Sequence, residues 1–371
     1  MNGGNNMKKL GFGCMRLPIL DNKQSNIDME QFKRMVDKFI EKGFTYFDTA
    51  FMYHEDKSEE ALNEALVKRY PRNAYTITTK LPIKDVHCVE DNERIFNIQL
   101  NRLGVDYVDY YLMHALSMER FNQIKDLGTF DFMQRMKKEG KAKHVGFSYH
   151  DTAENLDIIL AEIGDWVEYV QLQLNYLDWE SENVQSKLCY EVCKKYNKPV
   201  IVMEPVKGGT LVILTSDARK VFDELEPKAS YASYAIRYAA SLDNVFMVLS
   251  GMSTIGQLED NVSYMEDFKP LNDQEYMAIE KVVDIIKNES TFACTGCRYC
   301  TENCPMNINI PDIFKQNRHS FVDVNEYERI TTGMSKGKAS DCIECGMCES
   351  VCPQHLKIRE LLKDCKAKFE K

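Results

Sequence analysis

Eight cysteines in two matching runs restrict this 371-residue chain more sharply than any other feature. The first run is Cys294-x2-Cys297-x2-Cys300-x3-Cys304-Pro305. The second is Cys342-x2-Cys345-x2-Cys348-x3-Cys352-Pro353, at an offset of 48 residues. The likeness continues past the runs: Cys304-Pro305-Met306-Asn307-Ile308-Asn309-Ile310 aligns with Cys352-Pro353-Gln354-His355-Leu356-Lys357-Ile358. Three thiolates two residues apart wrap one face of a [4Fe–4S] cube, while the fourth points away and reaches a second cube. This spacing assigns Cys294, Cys297, Cys300 and Cys352 to one cluster, and Cys342, Cys345, Cys348 and Cys304 to the other. A pair of zinc sites is the alternative for so many thiols. Zinc ribbons, however, use paired cysteines rather than a triplet followed by Cys-Pro.

The region as a whole resembles two-cluster ferredoxin domains. Between Cys304 and Cys342 the chain carries helical patterns such as Asp312–Gln316, which is closer to the helical modules attached to larger redox enzymes than to small free ferredoxins. The remaining cysteines, Cys14, Cys88, Cys189, Cys193 and Cys365, show no ligand pattern and read as packing residues. The polar stretch Met1–Leu10 has no apolar core, so no secretory signal is expected. Many cysteines without such a signal point to a reducing, cytoplasmic setting in which thiolates bind metal. A formal net charge of −10 argues against a general nucleic-acid binder, which needs a basic face. No apolar run of about 18 residues is present, so no membrane span is expected.

From Lys9 to about Phe268, short apolar runs alternate with helical patterns. The predicted strands are Lys9–Cys14, Thr45–Ala50, Tyr75–Lys80, Val108–His114, His144–Ser148, Tyr169–Gln173, Val200–Glu204 and Phe246–Ser250. Predicted helices include Met29–Lys42, Glu59–Tyr70, Asp91–Leu103, Asn155–Ile163, Val184–Tyr196 and Lys228–Ala240. Continuous apolar strands suit a buried parallel sheet, and eight such units fit a (β/α)8 TIM barrel. A doubly wound sheet would want a Gly-rich dinucleotide turn after the first strand, and Gly11-Phe12-Gly13 lacks the third glycine. The expected organisation is a barrel over 1–288 and a small, mainly helical cluster domain over 289–371. Asn288-Glu289-Ser290 reads as the linker between them. The apolar pattern of Asp273–Lys287 suggests a helix along the outside of the barrel, returning the chain to the catalytic face before Cys294.

Four polar residues fall at or just after successive strand ends: Asp48, Tyr53, Lys80 and His114. Barrel enzymes place their chemistry there. A Lys and an Asp facing one barrel mouth should pair, since either is costly to bury alone. The cation beside Tyr53 is expected to lower its pKa and make it a usable general acid. His114 can then supply a second donor to a carbonyl oxygen.

This set resembles the aldo-keto reductase family over about residues 8–270. The resemblance implies that Tyr53 donates the proton, that Lys80 and Asp48 tune it, and that His114 orients the carbonyl. It also implies a nicotinamide cofactor, NADP or NAD. Gly13 and Cys14 match positions that line that cofactor, and Ser148 and Gln171 match those that hold its carboxamide. Ser250, Gly251, Gln257 and Asn261 match the stretch that grips the adenine ribose. The sequence departs from the family at three points. Tyr149 stands where Asn is common, and Met203 where a stacking Tyr is common. Gly251 and Gln257 stand where basic residues often hold the 2′-phosphate, which leaves no sequence reason for a preference for NADP. Lys207 or Arg237 could supply a charge from elsewhere in the chain.

The reading is an oxidoreductase that exchanges hydride between nicotinamide and a carbonyl or alcohol, with two clusters relaying single electrons to or from a redox partner protein. The alternative is an electron-transfer or partner-binding protein whose barrel binds nucleotide without carbonyl turnover. A flavin would couple two-electron to one-electron chemistry, but the sequence carries no dependable flavin motif.

Overall fold

The computed structural model describes residues 7–21, 23–288, 294–316, 324–332 and 336–370. The chain divides into two compact units. The first comprises Met1–Glu180, Gln185–Pro205 and Ala232–Leu271; the second comprises Ser181–Val184, Val206–Tyr231 and Asn272–Lys371.

The first unit is a closed barrel of eight strands: β1 (Leu10–Gly13), β2 (Tyr46–Asp48), β3 (Thr76–Leu81), β4 (Val108–Leu116), β5 (Ala142–Tyr149), β6 (Tyr169–Gln173), β7 (Val200–Met203) and β8 (Val245–Ser250). Neighbours follow chain order and every pair is parallel, with β8 closing on β1 through Leu10↔Val248 and Phe12↔Ser250. Hydrophobic residues along both faces drive this. β1, β2 and β6 are buried at every position, as expected where helices cover the outside and side chains fill the inside. Tyr46, Tyr110, Leu112, Tyr169, Ile201, Met247 and Leu249 form one packed cluster of strand residues.

The helices form where their apolar spacing and caps predict. Helix Met29–Glu41 buries Phe32, Met35, Val36 and Phe39. Its N-cap Asp28 accepts from the Gln31 N–H at 3.0 Å. Phe12 of β1 meets Phe32 and Phe39 edge-on, with centroids 5.7 and 5.5 Å apart, which locks the helix to the sheet. The pattern at Glu59–Tyr70 is realised as an α-helix over Ser58–Leu62 continuing into wider turns over Asn63–Val67. Two helices between β4 and β5, Met118–Lys125 and Thr129–Lys138, were not singled out by periodicity. Among the described residues, no helix is long and apolar enough to cross a membrane.

In the second unit, helix Asp273–Asn288 packs against helix Ser216–Leu225. Its apolar face, with Ala278, Ile279, Val282 and Ile286 buried, was legible; the helix it packs against was not. The linker read at Asn288-Glu289-Ser290 lies, beyond Asn288, outside the described residues. Short helices Tyr299–Glu302, Ile310–Lys315, Val324–Thr331, Met347–Ser350 and Ile358–Phe369 complete the unit. Ile308, Ile310, Ile313, Phe314, Tyr327, Ile358, Leu362 and Phe369 gather with Cys294, Cys300 and Cys348 into one core. Tyr327 stacks on Phe369 at 4.7 Å, and its hydroxyl accepts from the Ala339 N–H at 3.0 Å.

Candidate active site and cysteine cavities

Asp48 ends β2, Lys80 lies near the end of β3, His114 lies near the end of β4, and Tyr53 follows β2 by one turn. The barrel brings all four together. Lys80 is fully buried, and its Nζ donates to Asp48 Oδ1 at 2.5 Å and to the Thr49 carbonyl at 2.7 Å. The same Nζ lies 4.9 Å from the centroid of the Tyr53 ring. Tyr53 and His114 meet edge to face, with centroids 5.9 Å apart and planes at 80°.

Around this group lies a buried polar scaffold. Thr49 Oγ1 and Ser58 Oγ share a hydrogen bond of 2.8 Å, and Ser58 Oγ donates to the Cys14 carbonyl at 3.2 Å. Glu59, buried, accepts from Thr79 Oγ1 at 2.6 Å and from Gln99 Nε2 at 2.9 Å, and pairs with Arg102 at 3.5 Å. Thr79 precedes Lys80, so this network holds the strand that carries the lysine.

The electrostatics correct one expectation. Burial holds the Tyr53 phenol well above its ordinary range; Asp48, Glu204 and Cys14 add to this, and Arg16 pulls it back. The anticipated lowering by Lys80 does not occur because the ammonium is engaged by Asp48 and Thr49 while the ring is buried. Burial likewise pushes the Asp48 carboxyl up, against the pull of Lys80. His114 is held well below the usual imidazole range, first by burial and then by Lys80, so its ring is neutral at physiological pH.

Sequence reasoning overlooked Arg16 and Glu204, which form an ion pair of 3.6 Å and act electrostatically on Tyr53. Each follows closely on a strand, β1 and β7, so a search for charged residues past every strand end would have found both. It also overlooked His54, whose Nε2 accepts from the Leu17 N–H at 3.0 Å while Nδ1 bonds the Gln24 carbonyl at 2.8 Å. His54, Glu55 and Asp56 all have positive φ, at 56°, 52° and 66°. This strained turn directly follows Tyr53.

The residues matched to a dinucleotide fall into three places. Gly13 lies against the Ser250 backbone, 3.3 Å from where a Cβ would stand, and Gly251 lies against the Arg16 side chain at 3.1 Å. Asn261 Nδ2 donates to Ser250 Oγ at 2.8 Å. Gln257 Oε1 accepts from the Ser253 N–H at 2.7 Å. Ser148 and Gln171 are register partners on β5 and β6, and Ser148 Oγ accepts from the Ala115 N–H at 2.7 Å. Met203 ends β7, beside Gln173 of β6. The Cys14 thiol is buried and donates to the Phe12 carbonyl at 3.8 Å. Gln171 Oε1 and His114 Nδ1 are buried without hydrogen-bond partners. Such atoms are costly unless a ligand or water completes them, so the Gln171 acceptor and the His114 ring nitrogen fit a bound amide and a polar substrate. Both basic residues expected from elsewhere have partners within their own units. Lys207 Nζ donates to Gln354 Oε1 at 2.9 Å, and Arg237 donates to the carbonyls of Lys269 and Pro270.

The cysteine runs line two small cavities. Cys294, Cys297, Cys300 and Cys352 line the first; Cys304, Cys342, Cys345 and Cys348 line the second. Each cavity therefore takes its fourth thiol from the other run. Burial raises the Cys300 thiol, with Cys297, Cys294 and Cys352 adding, and lifts Cys348 to about 11, with Glu349, Cys342 and Cys304 adding. Among the described residues, no three of His, Cys, Asp or Glu converge on a point suited to one metal ion. Four thiols standing around a cavity fit a multi-iron cube better than a zinc ion, which draws its sulfurs to about 2.3 Å. Of the cysteines outside the runs, Cys14, Cys189, Cys193 and Cys365 are buried as packing residues. Cys88 is exposed instead, because it caps helix Val89–Leu103, where Asp91 accepts its N–H at 3.2 Å.

Comparison with known proteins places both units. Residues 9–284 match the aldo/keto reductase family, and residues 293–357 match the 4Fe-4S dicluster domain. L-galactose dehydrogenase of Arabidopsis thaliana is 25% identical over 77% of this chain and 94% of its own length. An aldo-keto reductase from Klebsiella pneumoniae, solved in complex with NADPH, superposes with a TM-score of 0.59 at 18% identity, over 75% of this chain and 91% of its own. The holo form of an aldo-keto reductase from Bacillus halodurans gives a TM-score of 0.59 at 23% identity, over 74% and 91%. The two structural likenesses establish a shared fold.

Proposed function

Because this chain belongs to the aldo/keto reductase family, we propose that it is a cytoplasmic, NAD(P)(H)-dependent oxidoreductase acting on a carbonyl or alcohol, with two [4Fe–4S] clusters exchanging single electrons with a redox partner. The observation that carries the reading is the buried Lys80–Asp48 pair beneath Tyr53, with the neutral His114 ring edge-on to it.

Nicotinamide, when bound, supplies or accepts the hydride. The chain does the rest. Tyr53 keeps its proton through the physiological range because burial holds the phenol above its ordinary pKa. It releases that proton only to an oxygen gaining negative charge, as a general acid should. The Lys80 ammonium, fixed by Asp48, stabilises the phenolate that remains. His114 donates from its neutral ring to the same substrate oxygen, so two donors polarise the carbonyl. Gln171 and Ser148 would hold the carboxamide, and Gly13, Cys14, Met203, Ser250, Gly251, Gln257 and Asn261 would hold the remainder of the dinucleotide. Cys294, Cys297, Cys300 and Cys352 would hold one cluster, and Cys304, Cys342, Cys345 and Cys348 the other.

The test is anaerobic turnover by cluster-loaded protein, with each nicotinamide and a panel of carbonyls and alcohols. Nicotinamide-dependent conversion supports the reading. Tight nicotinamide binding with no conversion across the panel would favour a barrel that binds nucleotide without turnover.

A further inference from the structure

The second unit contains a buried polar pair that the proposed chemistry does not use. Lys207 is 2% exposed and Gln354 4%, and Lys207 Nζ donates to Gln354 Oε1 at 2.9 Å. An ammonium can only donate, so the amide oxygen faces Lys207 and the amide nitrogen faces away. That nitrogen, Nε2, is buried without a hydrogen-bond partner, and Gln354 lines the cavity of Cys294, Cys297, Cys300 and Cys352. The turn carrying Lys207 is pressed onto the same segment. Gly208 has φ +61°, and a Cβ there would lie 2.0 Å from the Thr295 carbonyl oxygen.

The internal repeat supplies its own control. An offset of 48 residues places Met306 where Gln354 stands and Ile343 where Thr295 stands, and both line the second cavity. An arginine lines each cavity, Arg298 in the first and Arg359 in the second. Each is paired with a carboxylate: Arg298 with Asp312 at 2.8 Å, Arg359 with Glu349 at 2.7 Å. Those contributions offset one another. The first cavity carries a lysine-backed amide and a threonine where the second carries a thioether and an isoleucine, and the amide is the member aimed from a buried cation.

We propose that Gln354, held and polarised by Lys207, sets the reduction potential of the cluster bound by Cys294, Cys297, Cys300 and Cys352, donating its N–H to a cluster sulfur and raising that potential above the other cluster's. This rests on the reading that each cavity holds a [4Fe–4S] cube. Reduction adds one negative charge, which a nearby donor and cation favour most strongly in a low-dielectric interior. One electron then passes from the reduced second cluster to the oxidised first, one being oxidised as the other is reduced.

The experiment is an anaerobic redox titration followed by electron paramagnetic resonance on the full chain, with iron and sulfide measured on every sample. Two separated one-electron waves are expected. Gln354→Met should lower the upper wave by about tenfold in its equilibrium constant, ~59 mV for one electron, and leave the lower wave in place. The reciprocal Met306→Gln should raise the lower wave. A fully loaded Gln354→Met whose upper wave does not move overturns the proposal. Where Gln354→Met does not load, Met306→Gln decides, and an unmoved lower wave overturns it. Unsubstituted protein with iron for fewer than two cubes removes the premise itself, and the metal assay shows that separately from any shift.

Discussion

Lys80→Met should destabilise the barrel more than any other conservative change at the site. Lys80 and Asp48 side chains are 1% and 4% exposed and 2.5 Å apart. Removing one partner of a buried pair leaves the other charge uncompensated, which costs about 3–5 kcal/mol. At about 2–4 °C per kcal/mol for a domain of this size, the melting temperature should fall by roughly 6–20 °C. The penalty should depend on pH. Burial raises the Asp48 carboxyl pKa in the folded state and Lys80 opposes that, so losing Lys80 raises it further. A group whose folded pKa lies above its unfolded value contributes stability below the unfolded pKa and loses it as pH rises through the folded pKa. The variant should therefore approach wild-type stability near pH 4 and fall away towards pH 7. Asp48→Asn combined with Lys80→Met should be less destabilised than the sum of the two. Thermal melts of the four proteins between pH 4 and 8, followed by circular dichroism, measure all of this. Additive single effects, within about 0.5 kcal/mol, or a pH-independent penalty would refute the electrostatic account.

Tyr53→Phe keeps the ring over Lys80 but removes the proton, so carbonyl reduction should drop at least about 100-fold while the nicotinamide Kd, from fluorescence titration, stays within a few-fold; retention of most kcat would exclude Tyr53 as the acid. Cys304→Ser should damage the centre lined by Cys342, Cys345 and Cys348 and spare the one lined by Cys294, Cys297 and Cys300, as read from the surviving paramagnetic signal. The ratio of NADP to NAD affinities should stay below about 100-fold, roughly 2.7 kcal/mol, since Gly251 and Gln257 carry no charge and Lys207 and Arg237 are engaged elsewhere; calorimetry giving a larger ratio would reveal a basic subsite.

The barrel was legible because strand burial on both faces leaves continuous apolar runs; Tyr169–Gln173 was predicted with the bounds it has. The cysteine cavities were legible because three thiols of each come from one short run, whose spacing is a local property of the chain. What escaped depends on contacts distant in sequence. The environment of Tyr53 turns on how fully Asp48 engages Lys80, which spacing does not report. The Lys207–Gln354 contact joins residues 147 positions apart. The face of Asp273–Asn288 was apolar by inspection, but an amphipathic pattern does not say which neighbour it covers.

The exchange of fourth thiols between the two runs also bears on how the protein is made. A ribosome delivers Cys294, Cys297 and Cys300 well before Cys352, so the earlier run emerges with three of its cavity's thiols and must wait for the last. Cys304 emerges early and remains unmatched until Cys342, Cys345 and Cys348 appear. Neither cavity has its full set of thiols until nearly the whole second run has been synthesised. Iron delivered to the nascent chain would meet two incomplete sets at once, and a stop codon shortly before Cys352 would disable the cavity of the first run while leaving that run untouched.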